Sequence, residues 1–206
     1  MTGRLFAFGD NSRGQVDGTT GRPDEVLALI TPEVLKDLPV KAIAAGLFHS
    51  AAITNDNRLI TFGCGNLGQR LLAADCTLSV GSWAPSDGSK LVQVQCGRRL
   101  TIVLDDRGRI WTFGDSKYGQ LGRETSDGTS SDATSVTVQL GIPETVSFII
   151  LQVCCGCGWS HTLVPLSSSN DKVSVYGWGR NDKRQLGNGR TGHVASPQNL
   201  FDSFEQ

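Results

Sequence analysis

The sequence predicts an all-β chain built from repeated small antiparallel sheets, and three observations predict it. An eight-residue word recurs four times, a second word recurs three times between its copies, and the stretches joining them read as apolar strands around polar turns. Gly 25 of 206 residues, with 19% charged and 38% hydrophobic residues, describes a glycine-rich but globular chain rather than a disordered one.

The first word is FGDNSRGQ from Phe8, FGCGNLGQ from Phe62, FGDSKYGQ from Phe113 and WGRNDKRQ from Trp178, at spacings of 54, 51 and 65 residues. Its columns are an aromatic, a glycine (Gly9, Gly63, Gly114, Gly179) and a closing glutamine (Gln15, Gln69, Gln120, Gln185). Ahead of the glutamine stands another glycine, Gly119 in the third copy. It reads as a turn residue at positive φ, a region only glycine enters without a Cβ penalty. The fourth copy has Arg184 there, which predicts a distorted last turn.

The second word is AGLFHSAAI from Ala45, CGRRLTIVL from Cys96 and CGCGWSHTLV from Cys155. Gly46, Gly97 and Gly158 align; His49, Leu100 and His161 fill the next fixed column, followed by Ser50, Thr101 and Thr162. From each copy the chain runs through AAITNDNRLITFG, TIVLDDRGRIWTFG or TLVPLSSSNDKVSVYGWG, apolar β-formers on both sides of an Asn, Asp, Gly or Ser cluster, which is a hairpin signal. The spacing divides the chain into units of approximately 1–54, 55–105, 106–170 and 171–206, the last incomplete. Residues 23–38 have partly helical apolar spacing, but Pro32 interrupts them at a cost of about 3 kcal/mol, so they read as a loop and an outer strand. Residues 122–136 are rich in Ser, Thr, Asp and Gly and read as a mobile surface loop.

Small sheets repeated at this period cover one another's apolar faces, as the blades of a β-propeller do. Aromatic-Gly-x-Asn/Ser-x-x-Gly-Gln-Leu-Gly alternating with small-Gly-x-x-His-Ser/Thr resembles the regulator of chromosome condensation repeat family, whose members are seven-bladed propellers. The Trp-Asp and Gly-His signatures of the other common propeller repeat are absent. Seven units would need roughly 360 residues. The resemblance therefore implies a partial propeller of about four blades: a fragment, a truncated product, or half of an assembly closed by another chain.

The resemblance also implies where a partner binds. In the founding member of the family, the two positions between Gly and His of the second word carry acidic and histidine residues that contact a small GTPase during nucleotide exchange. Here they are Leu47-Phe48, Arg98-Arg99 and Trp159-Ser160, none of them acidic. Leu47, Phe48, Arg98, Arg99 and Trp159 become the candidate partner-binding residues, since aromatic residues and arginine are enriched at binding hot spots. Within the family, the look is closest to an alpha-tubulin suppressor and a secretion-regulating guanine nucleotide exchange factor. That implies a non-catalytic scaffold for a small protein partner in translation-related modification (diphthamide, tRNA wobble uridine), or an exchange factor for a small GTPase.

No independent chemistry stands out from the repeat. Cys154-x-x-Cys157 with His161 has the look of metal ligands, but Cys157 falls in the column of Cys96 and Ala45, and His161 in that of His49, so the repeat accounts for both and no metal or cofactor is expected. His49 and His161 beside Ser50, Thr101 and Thr162 could be bases and nucleophiles. The same column holds Leu100, however, and a hydrogen-bonding strut between blades is the better reading. His193 stands alone in a polar loop, and no phosphate-binding spelling occurs. Net charge −1, with basic clusters of two or three residues at most, disfavours nucleic acid. No apolar run of membrane length and no leader pattern occur, which implies a cytoplasmic or nuclear location.

Overall fold

The sequence LTIVLD at residues 100–105 is buried at every position because it faces two sheets at once. Leu100, Ile102 and Leu104 pack to one side and Val103 to the other, the period-two alternation of a pleated strand. The computed structural model describes residues 7–16, 35, 38–70, 80–123, 125, 129–136, 148–150, 154–155, 160–168 and 173–202. Within them the chain forms three antiparallel sheets.

The first sheet takes β1 (Val40–Ala45), β2 (His49–Thr54), β3 (Leu59–Gly63) and β4 (Gly81–Trp83) in chain order. The second takes β5 (Leu91–Cys96), β6 (Leu100–Asp105), β7 (Ile110–Asp115) and β8 (Thr129–Val136) in the same way. In the third, β9 (Phe148–Ile150) and β10 (Cys154–Cys155) both pair with β11 (His161–Ser168), followed by β12 (Val173–Gly179) and β13 (Val194–Asp202). Because β12 occupies one edge of β11, β9 and β10 share the other and hold the place of β1 and β5. β1 touches β5, and β5 touches β10, so the sheets fan about an axis lined by these strands. This is the all-β, partial-propeller architecture that the repeats imply, with the turn at 7–16 ahead of the first sheet.

Two apolar cores hold the fan together. Ile53 and Leu59 meet Leu91, Val94 and Phe113 between the first and second sheets. Ile102, Ile110 and Leu121 meet Val164, Leu166 and Trp178 between the second and third. Each fully buried side chain of this size contributes about 1.5–3 kcal/mol. On the far face of the first sheet, Ala52, Ile60 and Phe62 pack with Leu35.

Residues 122–136 are not one surface loop: Thr129–Val136 is β8, paired to β7 from Asp115↔Thr129 to Ile110↔Val136. Thr and Ser tolerate an extended backbone, and an outermost strand has no sheet beyond it demanding apolar side chains, so composition alone reads as loop. Apart from Leu35 and Leu38, residues 23–38 lie outside the described residues, as do Gly158 and Trp159.

The repeated words are backbone devices. Gly63, Gly114 and Gly179 lie at φ 102, 126 and 102, and a Cβ on Gly114 would overlap the carbonyl oxygen of Arg99. The next amide donates to that loop: Cys64 N to Phe48 O at 2.7 Å, Asp115 N to Arg99 O at 2.9 Å, Arg180 N to Ser160 O at 2.6 Å. In the following turn Gly14, Gly68 and Gly119 adopt φ 72, 82 and 75. The glutamine Oε1 then accepts from the amide two residues before it, in all four copies: Arg13, Leu67, Tyr118 and Lys183. The distortion expected of the fourth turn is absent. Arg184 takes the left-handed conformation itself, at φ 59, and its amide keeps the turn bond to Asn181 O at 3.2 Å. The strain of about 1–2 kcal/mol for a residue with a Cβ is outweighed by the bonds around it.

Candidate functional site

Strand register decides which loops share an end of the propeller. Leu100 pairs with Gly114 and Asp115 with Thr129, so the 97–99 loop and residues 116–123 emerge together. His161 pairs with Gly179 and Gly179 with Val194, which adds the 180–193 loop to the same end. The 55–58 and 106–109 turns lie at the other end.

The two ends treat their charges differently. At the 106–109 end, Asp105 is buried and accepts from the amides of Arg107 and Arg109, from Arg109 Nε at 2.8 Å and from Trp111 Nε1 at 2.9 Å. Burial pushes its carboxyl up, but these donors outweigh it and the net direction is down. Arg109 also reaches Asp87 at 2.6 Å, and with the Ser89 amide holds that carboxyl well below the usual carboxylate range. Arg107 joins Asp87 at 3.0 Å, and Arg58 pairs with Asp56 at 2.7 Å. The three arginines at this end, Arg58, Arg107 and Arg109, are each paired with a carboxylate.

At the 97–99 end, Arg98 is exposed, and neither it nor Arg99 has a carboxylate partner among the described residues. The Arg99 guanidinium lies over the half-buried Phe48 ring, 6.0 Å from its centroid, so the structure joins these two candidates across the first and second sheets. Leu47, 46% exposed, faces elsewhere: with Ile43 (60% exposed) and Phe8 (71% exposed) it lines a cavity of about 490 Å³ on the open face of the first sheet. Trp159 lies outside the described residues.

Beneath this end, His49 is fully buried and its Nε2 lies 2.8 Å from Thr101 Oγ1 on the next sheet. Thr101 in turn donates to Gln69 O at 2.9 Å, and a hydroxyl has one proton, so the histidine proton sits on Nε2. Burial first, and the Arg70 charge second, lower the His49 pKa to about 4, which keeps the ring neutral at pH 7. His49 thus joins Thr101 across the junction between the two sheets, with its Nδ1 buried and without a partner among the described residues. Ser50 Oγ makes the corresponding bond to Gln15 O at 2.7 Å. His161 is half-buried, and burial lowers its pKa. Among the described residues no group of three or more His, Cys, Asp or Glu side chains is placed to hold a metal, and no helix is long and apolar enough to cross a membrane.

Residues at this end that the repeat does not require are Lys117, Tyr118, Arg123 and His193. The Tyr118 ring meets His193 edge-on at 4.7 Å and has the Lys117 ammonium 5.5 Å and the Arg180 guanidinium 5.0 Å from its centroid. Sequence reading passed over His193 because its partner stands in the preceding repeat. The available signal was Lys117-Tyr118 at the variable positions of an otherwise fixed word.

Comparison with known proteins agrees with this architecture. Residues 40–69, 91–120, 107–164 and 174–205 match the "Regulator of chromosome condensation (RCC1) repeat". The chain is 31% identical over 206 residues to the human E3 ubiquitin-protein ligase HERC2, covering 96% of this chain and 4% of that protein. It is 30% identical over 198 residues to the ultraviolet-B receptor UVR8 of Arabidopsis thaliana, covering 96% and 42%. Among solved structures, human WBSCR16 matches with TM-score 0.70 and 23% identity over 97% of this chain and 50% of that one. Prp20p of Saccharomyces cerevisiae, whose structure was reported with its binding properties to Gsp1p and histones, matches with TM-score 0.71 and 18% identity over 98% and 47%. The chain thus spans half or less of the length of each of these proteins.

Proposed function

The chain belongs to the regulator of chromosome condensation repeat family, and from that premise we propose that it is a non-catalytic propeller scaffold that binds a protein partner through the end carrying Phe48, Arg98 and Arg99, with Leu47 and Trp159 as further anchors. The observation that carries this reading is that Arg98 and Arg99, unlike Arg58, Arg107 and Arg109 at the opposite end, have no carboxylate partner among the described residues, and that the Arg99 guanidinium lies over the Phe48 ring. Such a face attracts an acidic partner and supplies hot-spot residue types. A partner in diphthamide or tRNA wobble-uridine modification is the finer form of the proposal; it rests on the resemblance of LFAFGDNSRGQ, VQVQCGRRLTIVLDDRGRIW and VYGWGRNDKRQL to two family members, the alpha-tubulin suppressor and the secretion-regulating guanine nucleotide exchange factor, the second of which bears on the alternative reading.

The second reading, a guanine nucleotide exchange factor for a small GTPase, is favoured by the match to Prp20p and disfavoured by the absence of an acidic residue at positions 47, 48, 98 and 99. The test is the double variant Arg98→Glu with Arg99→Glu. We expect its Tm to stay within a few degrees while capture of the physiological partner, identified by mass spectrometry, weakens by about tenfold, or 1.4 kcal/mol. Unchanged capture removes this face from the function. Nucleotide release from a panel of small GTPases is expected to be unaffected, and acceleration of one of them by orders of magnitude overturns the scaffold reading in favour of exchange.

A further inference from the structure

The chain's only Asn-Gly step, Asn188-Gly189, sits in the 180–193 loop, every residue of which is described. An asparagine side chain is chemically labile when the next backbone nitrogen can reach its Cγ, and glycine shields that nitrogen least. Three features of the loop leave the step open. Gly189 is exposed at φ 71, with nothing within 4 Å of the place a Cβ would take, and its amide donates no hydrogen bond among the described residues. Asn188 Oδ1 accepts from the Arg190 amide at 3.2 Å and from Asn181 Nδ2 at 3.1 Å, and the first of these bonds folds the side chain forward over the Gly189 peptide. Both donors face the oxygen on which charge develops when a nucleophile adds to Cγ, as in an oxyanion hole. Asn188 Nδ2, the leaving group, makes no hydrogen bond among the described residues.

Asparagines in the other turns lack this combination. The amide after Asn11 donates to Asp10 Oδ1 at 2.8 Å, the one after Asn57 to Thr54 Oγ1 at 3.1 Å, and the one after Asn66 to Gln69 Oε1 at 3.0 Å. An amide held in such a bond is turned away from the side chain before it. Nor does the repeat require Asn188: three residues after the closing glutamine, the other words have Gly18, Leu72 and Arg123.

We propose that Asn188 is a self-modification site, converted through a succinimide closed onto Gly189 to aspartyl and isoaspartyl forms. The Gly189 nitrogen gives its proton to solvent base and bonds to Asn188 Cγ; the Cγ–Nδ2 bond then breaks, and ammonia leaves with a proton from water. A second water opens the ring at either carbonyl, so the net change is amide and water to carboxylate and ammonium. The new carboxylate enters a basic loop, since Lys183, Arg184 and Arg190 are exposed there and Asp182 is already bonded to Arg180. The isoaspartyl form also lengthens the main chain by one carbon between Leu186 and Arg190. Buried Asn181 ties that span, accepting from the Leu186 amide at 3.0 Å and donating to the Arg190 carbonyl at 2.9 Å, so this product strains or opens the loop at the end that carries Arg98 and Arg99.

The test ages the 206-residue chain at neutral pH and digests it. Peptide mass spectrometry locates the one-dalton gain of amide to acid, and methyl transfer by an isoaspartyl methyltransferase marks the isoaspartyl product. Position 188 is expected to convert about tenfold faster than any other asparagine, to give both products, and to react at least as fast as in a free peptide of residues 184–193. Asn188→Gln is expected to abolish the methylated product in that segment and to leave Tm within a few degrees. The proposal is overturned by slower conversion in the folded chain than in the peptide, which would mean that the loop protects the step, or by equal conversion at other asparagines. Aspartate without isoaspartate, the mark of direct hydrolysis, overturns it as well, as does methylation of the segment that survives Asn188→Gln. None of these results depends on partner capture, so this proposal and the scaffold reading fail separately.

Discussion

The junction between the first and second sheets and the junction between the second and third share one backbone plan but satisfy it with different side chains. In the first, the Gln69 carbonyl accepts from the Thr101 hydroxyl, which itself accepts from His49. In the second, the corresponding Gln120 carbonyl accepts from the indole N–H of Trp178 at 3.0 Å, and Leu100 stands where His49 stood. Leu100 and Trp178 belong to one apolar cluster there, and the Thr162 hydroxyl, counterpart of Thr101, is buried without a partner among the described residues. The requirement common to both is a donor for the glutamine carbonyl at the end of the turn. Whether a hydroxyl or an indole meets it is decided by the aromatic that fills the column.

The largest expected effect comes from removing the apolar solution. Trp178 is fully buried, and Trp178→Ala should cost about 3–5 kcal/mol, a large part of the stability of an ordinary domain, as read from the denaturation midpoint. Trp178→Phe keeps most of the ring, restores the aromatic found in the other three words and removes only the donor. It should cost about 1 kcal/mol, and a cost near zero would show that the Gln120 carbonyl finds another donor.

The polar solution should reveal itself through pH. Above about 6.5 His49 is neutral in both folded and unfolded states. As pH falls from there towards 4, the unfolded chain takes up a proton that the folded one refuses, so stability falls; below about 4 both are protonated and no further loss follows. The span corresponds to about 3 kcal/mol lost between pH 6.5 and 4, with His161, lowered by burial, adding in the same direction. His49→Leu installs the residue that the chain itself uses at position 100, and the pH dependence should flatten by most of that amount. Equal steepness in parent and variant would place the acid sensitivity elsewhere.

These contrasts mark what the sequence could and could not disclose. The glycine and glutamine columns were legible because each serves the backbone: a positive φ at Gly114 or Gly119 and an amide capped by Gln120 admit few alternatives, so the spelling repeats. The hairpins were legible for the same reason. Strand β8 was not, since an outer strand of Thr, Ser and Asp has the composition of a loop and is recognised only by its pairing with β7. The exchange of a Thr hydroxyl for a Trp indole was also hidden, because the carbonyl they share is invisible in a list of side chains. At the candidate site, Arg98 and Arg99 could be named from the second word alone. The contact of Arg99 with Phe48, and that of Tyr118 with His193, join residues of different repeats and needed the packing of neighbouring sheets to appear.

The smallest effect is the sharpest test of the comparison, because it concerns the same residue type in equivalent places. Thr101 and Thr162 both follow the His/Leu column, and both are fully buried. Thr101→Val strips the donor from the Gln69 carbonyl and the acceptor from His49 Nε2, leaving two buried polar groups unpaired; it should cost about 1–3 kcal/mol. Thr162→Val removes a hydroxyl that has no partner among the described residues and leaves the bond from Trp178 to Gln120 untouched. Replacing an unpaired buried hydroxyl by a methyl of nearly the same volume should be neutral or stabilising, within about 1 kcal/mol. Combining Thr162→Val with Trp178→Phe adds a check, because Thr162 is the counterpart of Thr101, whose hydroxyl bonds Gln69 O. If the Gln120 carbonyl stays unpaired in the Phe background, the two substitutions should add without coupling; a coupling of about 1 kcal/mol in the double-mutant cycle, together with a near-zero cost of Trp178→Phe, would show that the Thr162 hydroxyl has taken the carbonyl over. If Thr162→Val costs as much as Thr101→Val in the parent background, the two junctions are satisfied alike, and the indole is not what distinguishes them.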